Sequence, residues 1–403
     1  MKTFSELCVS VKDQCDPSRS GASVYVGLEH IDSGSFFLNR HGKPSDVRSS
    51  KARFRKGDVL YGKLRPYLDK AIIAPVDGIC STDILVFRPK SDCCAAYLLG
   101  LIHSAEFRTH ADQTTNGVNH PRTSWHGLAG FTWNVPSKPE QEKIGAALWK
   151  VQRAIEIEAK LIAAARELKK STMSQVFTYG LRNEPQKDTD VGRIPKSWQV
   201  CSLATIAKLE RGRFMHRPRN EPRFYGGKTP FVQTGDVVRS QGWIRNHTQT
   251  LTEEGVLISR IFPRGTILIT IAANIGFTGV LDYDCACPDS LVGITPNKEV
   301  DNWFLEYYLQ TQQPEMDRQA PKGTQKNINI QFLTPWPAIV PTFDEQKEIA
   351  TILLTIDKKI LVHERKHEAL SDLFQTMLHE LIGTRIRVDK LDIDTREVAA
   401  LNP

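Results

Sequence analysis

At 403 residues the chain exceeds what one hydrophobic core usually organises and has room for two or three domains. Its content of 40% hydrophobic, 25% charged and 8% aromatic residues is that of a packed globular protein, which excludes wholesale disorder. Lys and Arg outnumber Asp and Glu by 53 to 46, an excess that admits a polyanionic partner without requiring one.

The opening residues MKTFSELCVS lack the apolar run of a signal peptide, and no stretch approaches the roughly 20 apolar residues that span a bilayer. A cytoplasmic protein with no membrane partner is expected. The eight cysteines include no C-x-x-C pair, so reduced structural thiols are expected, with no metal site.

Residues 1–139 read as a first globular domain of short β-rich runs such as ILVFRP, broken by Gly, Pro and Asp, with one helix before a loop at Gly117. Ten basic residues against three acidic ones lie between Arg40 and Lys70. Within that patch YGKLRPYLDK gathers Lys63, Arg65, Tyr67 and Lys70 after a predicted strand: either a DNA contact or a plain exposed basic turn. The loop TTNGVNHPR adds Asn116, Asn119, His120 and Arg122, side chains that can donate to and accept from base edges, or serve a turn's own hydrogen bonds.

A long helix follows over 140–180, then a polar connector over 181–198. Residues 199–341 read as a second domain with β runs TILITIA and LVGITP. It opens on ERGRFMHRPRNEPRFYGGK, where Arg211, Arg213, His216, Arg217, Arg219, Arg223, Tyr225 and Lys228 interleave cations with rings. Arg forks onto guanine or phosphate, although a solvated basic loop has the same composition. The loop APKGTQKNINI offers Lys322, Thr324, Gln325 and Asn327. A second long helix occupies 342–385 and a tail 386–403.

The chain repeats itself. PSKPEQEKIGAALWK returns as PTFDEQKEIATILLT, placing Glu140 on Glu345, Gln141 on Gln346 and Ile144 on Ile349. Upstream, YVGLEHIDSG pairs with FVQTGDVVRSQG, FRKGDVLYGKL with FPRGTILITIA, AYLLGLIHSAEF with WFLEYYLQTQQP, and the Gly117 loop with the Gly323 loop, at offsets of 205 to 208. The duplicated unit is therefore a domain plus its helix. Shared frames with different polar tips suit two readers of different half-sites.

In the second helix Ile349, Leu353, Ile356, Ile360, His363, His367, Leu370, Phe374, Met377 and Leu381 fall at alternating steps of four and three, a seam that demands a partner helix. The matching seam in the first helix is Ile144, Leu148, Val151, Ile155, Glu158 and Ile162, and then weakens at Lys169 and Thr172. With a folded domain between them, antiparallel pairing is the easy topology. Helices of this length would extend roughly 57 Å at 1.5 Å per residue and act as a spacer, or alternatively as an oligomerisation zipper. The predicted fold is thus α+β: two related globular domains separated by two long helices packed as an antiparallel coiled coil.

There is no G-x-x-x-x-G-K-[ST] loop for ATP, no G-x-G-x-x-G after a strand, and no N-P-P-Y or D-P-P-Y element of an aminomethyltransferase. Pro288-Asp289 is not followed by the E-x-K of a nuclease. No catalytic residue is assigned.

The order of EQEKI and DEQKEI at the helix starts, GRIPKSW before the second domain and RGRFMHRPRNEPRFYGGKTPFVQTGDV within it resembles the specificity subunits of type I restriction-modification enzymes. The resemblance covers the chain up to Arg387. It implies a non-catalytic subunit with two target-recognition domains in inverted orientation, each reading half of a bipartite site in double-stranded DNA. It further implies that the helices scaffold two modification (methyltransferase) subunits and restriction (endonuclease/translocase) subunits, with S-adenosylmethionine, ATP and Mg on those partners and no cofactor here. A self-contained nuclease or methyltransferase, an RNA-binding protein and a purely structural coiled coil are the competing classes.

Overall fold

A computed structural model describes residues 1–215, 221–321 and 326–401. The chain forms two compact units, Met1–Leu161 with His363–Pro403, and Ile162–Val362. We call them unit 1 and unit 2. The first long helix, Lys138–Tyr179, and the second, Phe343–Met377, each give one part to each unit.

In unit 1 the strands Cys8–Val11, Ile84–Pro89, Val59–Gly62 and Ala71–Ile73 form one sheet in that spatial order. Unit 2 repeats it with Ala207–Arg211, Leu291–Pro296, Ile267–Thr270 and Thr278–Leu281, and adds Gly242–Ile244 at the edge. Val59 faces Ile73 as Ile267 faces Val280, so the registers match as well as the order. Apart from the outer strands Cys8–Val11 and Ala207–Arg211, which are partly exposed, both sets are largely apolar and buried, as strands covered on both faces require. A second sheet of four strands completes each unit.

The helical segment after this sheet differs between copies. Unit 2 has one helix, Asn302–Gln319, running through Pro314. Unit 1 has two, Ala95–Ile102 and Ala105–Gln113, because Ser104 takes an extended backbone and its hydroxyl accepts from the Phe107 amide, an N-cap that starts a new helix.

Within each unit the two long helices run antiparallel. In unit 1 Glu140 meets Arg387 near one end, and Glu158 meets His363 at 2.6 Å and Lys366 at 2.6 Å toward the other. In unit 2 Lys169 meets Asp357 at 2.9 Å, while Leu181 N donates to Glu345 at 2.8 Å. The seam residues Ile144, Leu148, Ile349, Leu353, Ile356, Ile360 and Phe374 are buried, and Val151, Ile155, Ile162 and Leu370 are half-buried. The weak stretch of the first helix is satisfied by polar chemistry. Lys169, half-buried, lies 5.0 Å from the Tyr307 ring centroid, and the Tyr307 hydroxyl donates to the same Asp357 at 2.6 Å.

The repeated Glu-Gln pair explains itself once folded. The Gln141 carboxamide oxygen accepts from Cys94 N at 3.0 Å and its amide donates to Pro136 O at 3.0 Å and Asp92 O at 3.3 Å. Gln346 repeats the pattern with Asp301 N at 2.8 Å, Pro341 O at 3.0 Å and Glu299 O at 3.3 Å. Glu140 accepts both arms of Arg387 at 2.6 and 2.7 Å, and Glu345 accepts from Leu181 N and, at 3.1 Å, from Trp198 Nε1. All four side chains are at most 2% exposed.

Two segments depart from their sequence reading. The polar connector holds a hairpin, Gln186–Thr189 with Gly192–Pro195, and buries Ile194 and Trp198 against unit 2. The tail folds back onto unit 1. Val388 and Val398 enter its core, Lys143 donates to Asp389 O at 2.7 Å, and Glu397 takes Trp149 Nε1 at 3.1 Å and Arg153. All eight cysteines are free thiols, and six are buried. Among the described residues, no helix is long and apolar enough to cross a membrane.

Replacing Gln141 or Gln346 by Leu strands a buried amide N–H and two carbonyls, and is expected to cost about 2–4 kcal/mol in urea unfolding. A loss within about 0.5 kcal/mol, the range of an ordinary surface change, would contradict the clamp.

Candidate nucleic-acid interface

In unit 1 the structure brings the two candidate loops together. Leu64 bridges to Arg122, Arg65 N donates to Pro121 O at 2.8 Å, and Thr123 N donates to Lys63 O at 3.0 Å. Arg122 and Asn116 exchange backbone hydrogen bonds at 2.9 and 3.0 Å, which closes the loop tip. Asn116, Asn119 and His120 stand exposed on that tip, with Arg65 and Tyr67 exposed beside it and Lys63 half-buried.

Two of the cations are already engaged. Arg122 Nε donates to Asp83 at 3.0 Å, and that carboxylate raises the guanidinium pKa. Lys70 is half-buried, with its ammonium on Leu28 O at 2.6 Å. These two hold the loops, while Arg65 projects.

The corner that carries Arg65 is strained. Arg65 has φ 53° and Asp69 φ 51°, both in the left-handed region and neither a glycine. Asp69 is held by His103 Nδ1 at 2.8 Å and Arg108 at 3.7 Å, and its carbonyl accepts from Gly34 N at 2.8 Å. Strain of about 1–3 kcal/mol per residue persists only where surroundings over-determine it, and such corners cluster at functional sites. Asp83, Asp69 and His103 carried no linear signal, because their roles arise from contacts 34 to 39 positions away.

Unit 2 builds the same corner with other side chains. Ala272 bridges to Asn327 as Leu64 does to Arg122, Ile328 N donates to Ile271 O at 2.9 Å, and Ala273 has φ 63° at the repeat position of Arg65. The exposed Asn327 thus sits in the counterpart of the unit 1 loop pair, and Asn274 stands exposed on the corner. Gly323, Lys322, Thr324 and Gln325 lie outside the described residues, as do His216, Arg217 and Arg219.

The flanks of the Arg-rich segment are described. Arg211 Nε donates to Asp289 O at 2.7 Å, Arg213 to Ser259 O at 3.0 Å, and Arg260 to Arg211 O at 2.9 Å. Arg223 pairs with Glu221 at 2.8 Å and lies 4.7 Å from the Phe224 ring centroid. Tyr225 packs at 5.9 Å on Phe214 and 6.2 Å from Phe231, so its ring serves an aromatic cluster, whereas Lys228 is exposed. Arg260, which no pattern along the chain singles out, ties this segment to the neighbouring loop.

The two units thus carry a duplicated frame with different polar tips at equivalent corners. Comparison with known families supplies the deciding observation. The family described as type I restriction modification DNA specificity domain matches residues 41–167 and 195–371. The chain belongs to this family.

As a type I specificity subunit it is a DNA-recognition component and not a catalyst. It is 23% identical over 377 residues to a putative type I restriction enzyme MjaX specificity subunit of Methanocaldococcus jannaschii, covering 90% of this chain and 86% of that one. It is 20% identical to the HindI specificity subunit of Haemophilus influenzae, over 90% and 95% of the two chains. In fold it is similar to a type I restriction-modification S subunit from M. genitalium, with TM-score 0.65, 14% identity and coverage of 94% and 95%. It is also similar to a chain of a type I R-M system solved for its complex assembly, with TM-score 0.55, 21% identity and coverage of 96% and 97%.

Asp69→Ala removes the tie to His103 and adds left-handed strain, and should cost about 1–3 kcal/mol while weakening DNA binding. Asp69→Asn tolerates the left-handed backbone and should retain most of both. Thermal unfolding and DNA titration of the two variants check this, and equal behaviour would remove the corner from the account.

Proposed function

We propose that each unit of this specificity subunit reads one half of a bipartite target in duplex DNA, through the loops at its left-handed corner. The observation that carries this reading is the shared corner itself, the Leu64–Arg122 and Ala272–Asn327 bridges with Arg65 and Ala273 at positive φ, dressed with different side chains in the two copies. Arg65, with Lys63, and in unit 2 Lys228 supply phosphate and guanine contacts. Asn116, Asn119, His120 and Asn327 supply base-edge donors and acceptors. The paired helices act as spacer and scaffold, offering their exposed faces to two modification subunits and to restriction subunits. The S-adenosylmethionine, ATP and Mg chemistry resides on those partners.

The long helices support the scaffold role because their buried positions are already used within each unit, leaving exposed residues such as Ile157, Leu161, Leu168 and Val362 outside the seam. A self-contained methyltransferase would transfer methyl groups without another subunit, which separates the alternatives.

The test is the salt dependence of duplex binding. Affinity should fall with a slope near 0.9 in log–log units per phosphate contacted, and Lys63→Ala with Arg65→Ala should reduce that slope by about one to two. An unchanged slope and affinity would exclude the unit 1 corner as a DNA contact.

A further inference from the structure

Unit 2 contains a cleft of about 940 Å³, at the upper end of the roughly 300–1,000 Å³ typical of small-molecule sites. Unit 1 has its counterpart filled. There the Phe36 ring is fully buried, stacked on His103 at 5.2 Å and edge-on to Phe374 at 5.4 Å. The repeat places Gly242 at Phe36, Gln310 at His103 and Lys169 at Phe374. Strand register agrees: Phe36 O accepts from Ile73 N, and the equivalent of Ile73 is Val280, whose strand pairs with Gly242–Ile244. Three packed ring positions in one copy have become a glycine, an amide and an ammonium in the other, and all three line the cleft.

Gly242 cannot be filled from its own strand. Its φ is +100°, and a Cβ there would lie 2.3 Å from Gln310 Nε2. Behind it, at the position of the fully buried Leu99 in unit 1, unit 2 buries Glu306 completely. Glu306 Oε1 accepts from Thr278 Oγ1 and from Gln310 Nε2, both at 2.9 Å, which fixes two side chains of the cleft. Its Oε2 has no hydrogen-bond partner among the described residues. Burial lifts the carboxyl pKa to about 7. Exchanging leucine for a buried, half-satisfied carboxyl costs stability, and polar groups of this kind concentrate at binding sites.

The lining combines apolar rings with positive charge. Phe177 and Tyr308 are buried, whereas Arg166, Lys170 and Arg193 are exposed, Arg193 being paired with Asp188 at 3.2 Å. Asp357, also in the lining, is bound to Lys169.

We infer that this cleft binds a small molecule with a planar aromatic ring and an anionic group. The ring occupies the space that Phe36 fills in unit 1, and the anion faces Lys170 and its basic neighbours. Gln310, anchored by Glu306, meets the polar edge of the ring.

Adenosine monophosphate and phenyl phosphate are the probes, titrated into the full chain by calorimetry, with inorganic phosphate and indole as controls carrying only one of the two features. Both probes are expected to bind saturably and at least tenfold more tightly than either control. Met173→Trp, which fills the cleft, and the exposed charge reversal Lys170→Glu should each weaken the probes by tenfold or more, with unfolding temperatures in the absence of probe reporting that the variants fold. No saturable binding, equal binding of inorganic phosphate, or probe binding unchanged in folded Lys170→Glu would overturn the assignment.

Discussion

At the head of each long helix a glutamate and a glutamine lie almost wholly out of water, and the turns, loops and chain segments around them are arranged to keep them satisfied. A buried carboxamide left without partners is costly, so the three backbone groups that Gln141 and Gln346 each bind are pinned with them. Those groups belong to the turn before the helix and to the loop entering the sheet-covering helix. One side chain therefore orients the long helix against its globular domain. The neighbouring glutamate does the complementary task. Glu140 draws in Arg387 and Glu345 draws in Leu181 and Trp198, so the segment that follows one long helix is bound to the start of the other.

Because the glutamine clamp is the same in both copies, the rest of each unit is free to diverge. The central sheet keeps its strand order and register, and the left-handed corner keeps its bridge. The side chains on the corner change from Lys63, Leu64 and Arg65 to Ile271, Ala272 and Ala273. Divergence reaches the interior as well, where Phe36, His103 and Phe374 pack as rings in unit 1 while Gly242, Gln310 and Lys169 leave a cleft in unit 2. On the proposed reading a duplicated frame of this kind separates stability from recognition, since the helix clamps and sheet carry the first and the loops the second.

Much of the architecture was legible in the sequence because its determinants are local or periodic. The repeated Glu-Gln, the alternating steps of four and three from Ile349 to Leu381, and the apolar runs of the sheet are all read along the chain. What was not legible depends on distant contacts. The first helix looked poorly patterned at Lys169 because its partners, Asp357 and Tyr307, lie more than a hundred residues away. The connector looked featureless, yet Trp198 finds Glu345 and the hairpin buries Ile194. The tail carries only scattered apolar residues, and it is Arg387 meeting Glu140 that fastens its start. In the candidate site the loops were singled out by their residue types, but the strained backbone at Arg65 and Ala273 was not, since neither residue type announces a positive φ.

The central claim is that two related readers in one chain recognise two separate stretches of DNA. The most direct measurement is selection of bound duplexes from a randomised pool by the chain assembled with its modification partner, followed by sequencing. The account predicts two short blocks of fixed sequence divided by a gap of unselected bases, with block centres about one helical turn, roughly 34 Å, apart. A single uninterrupted block, or no enrichment of any sequence, would contradict it.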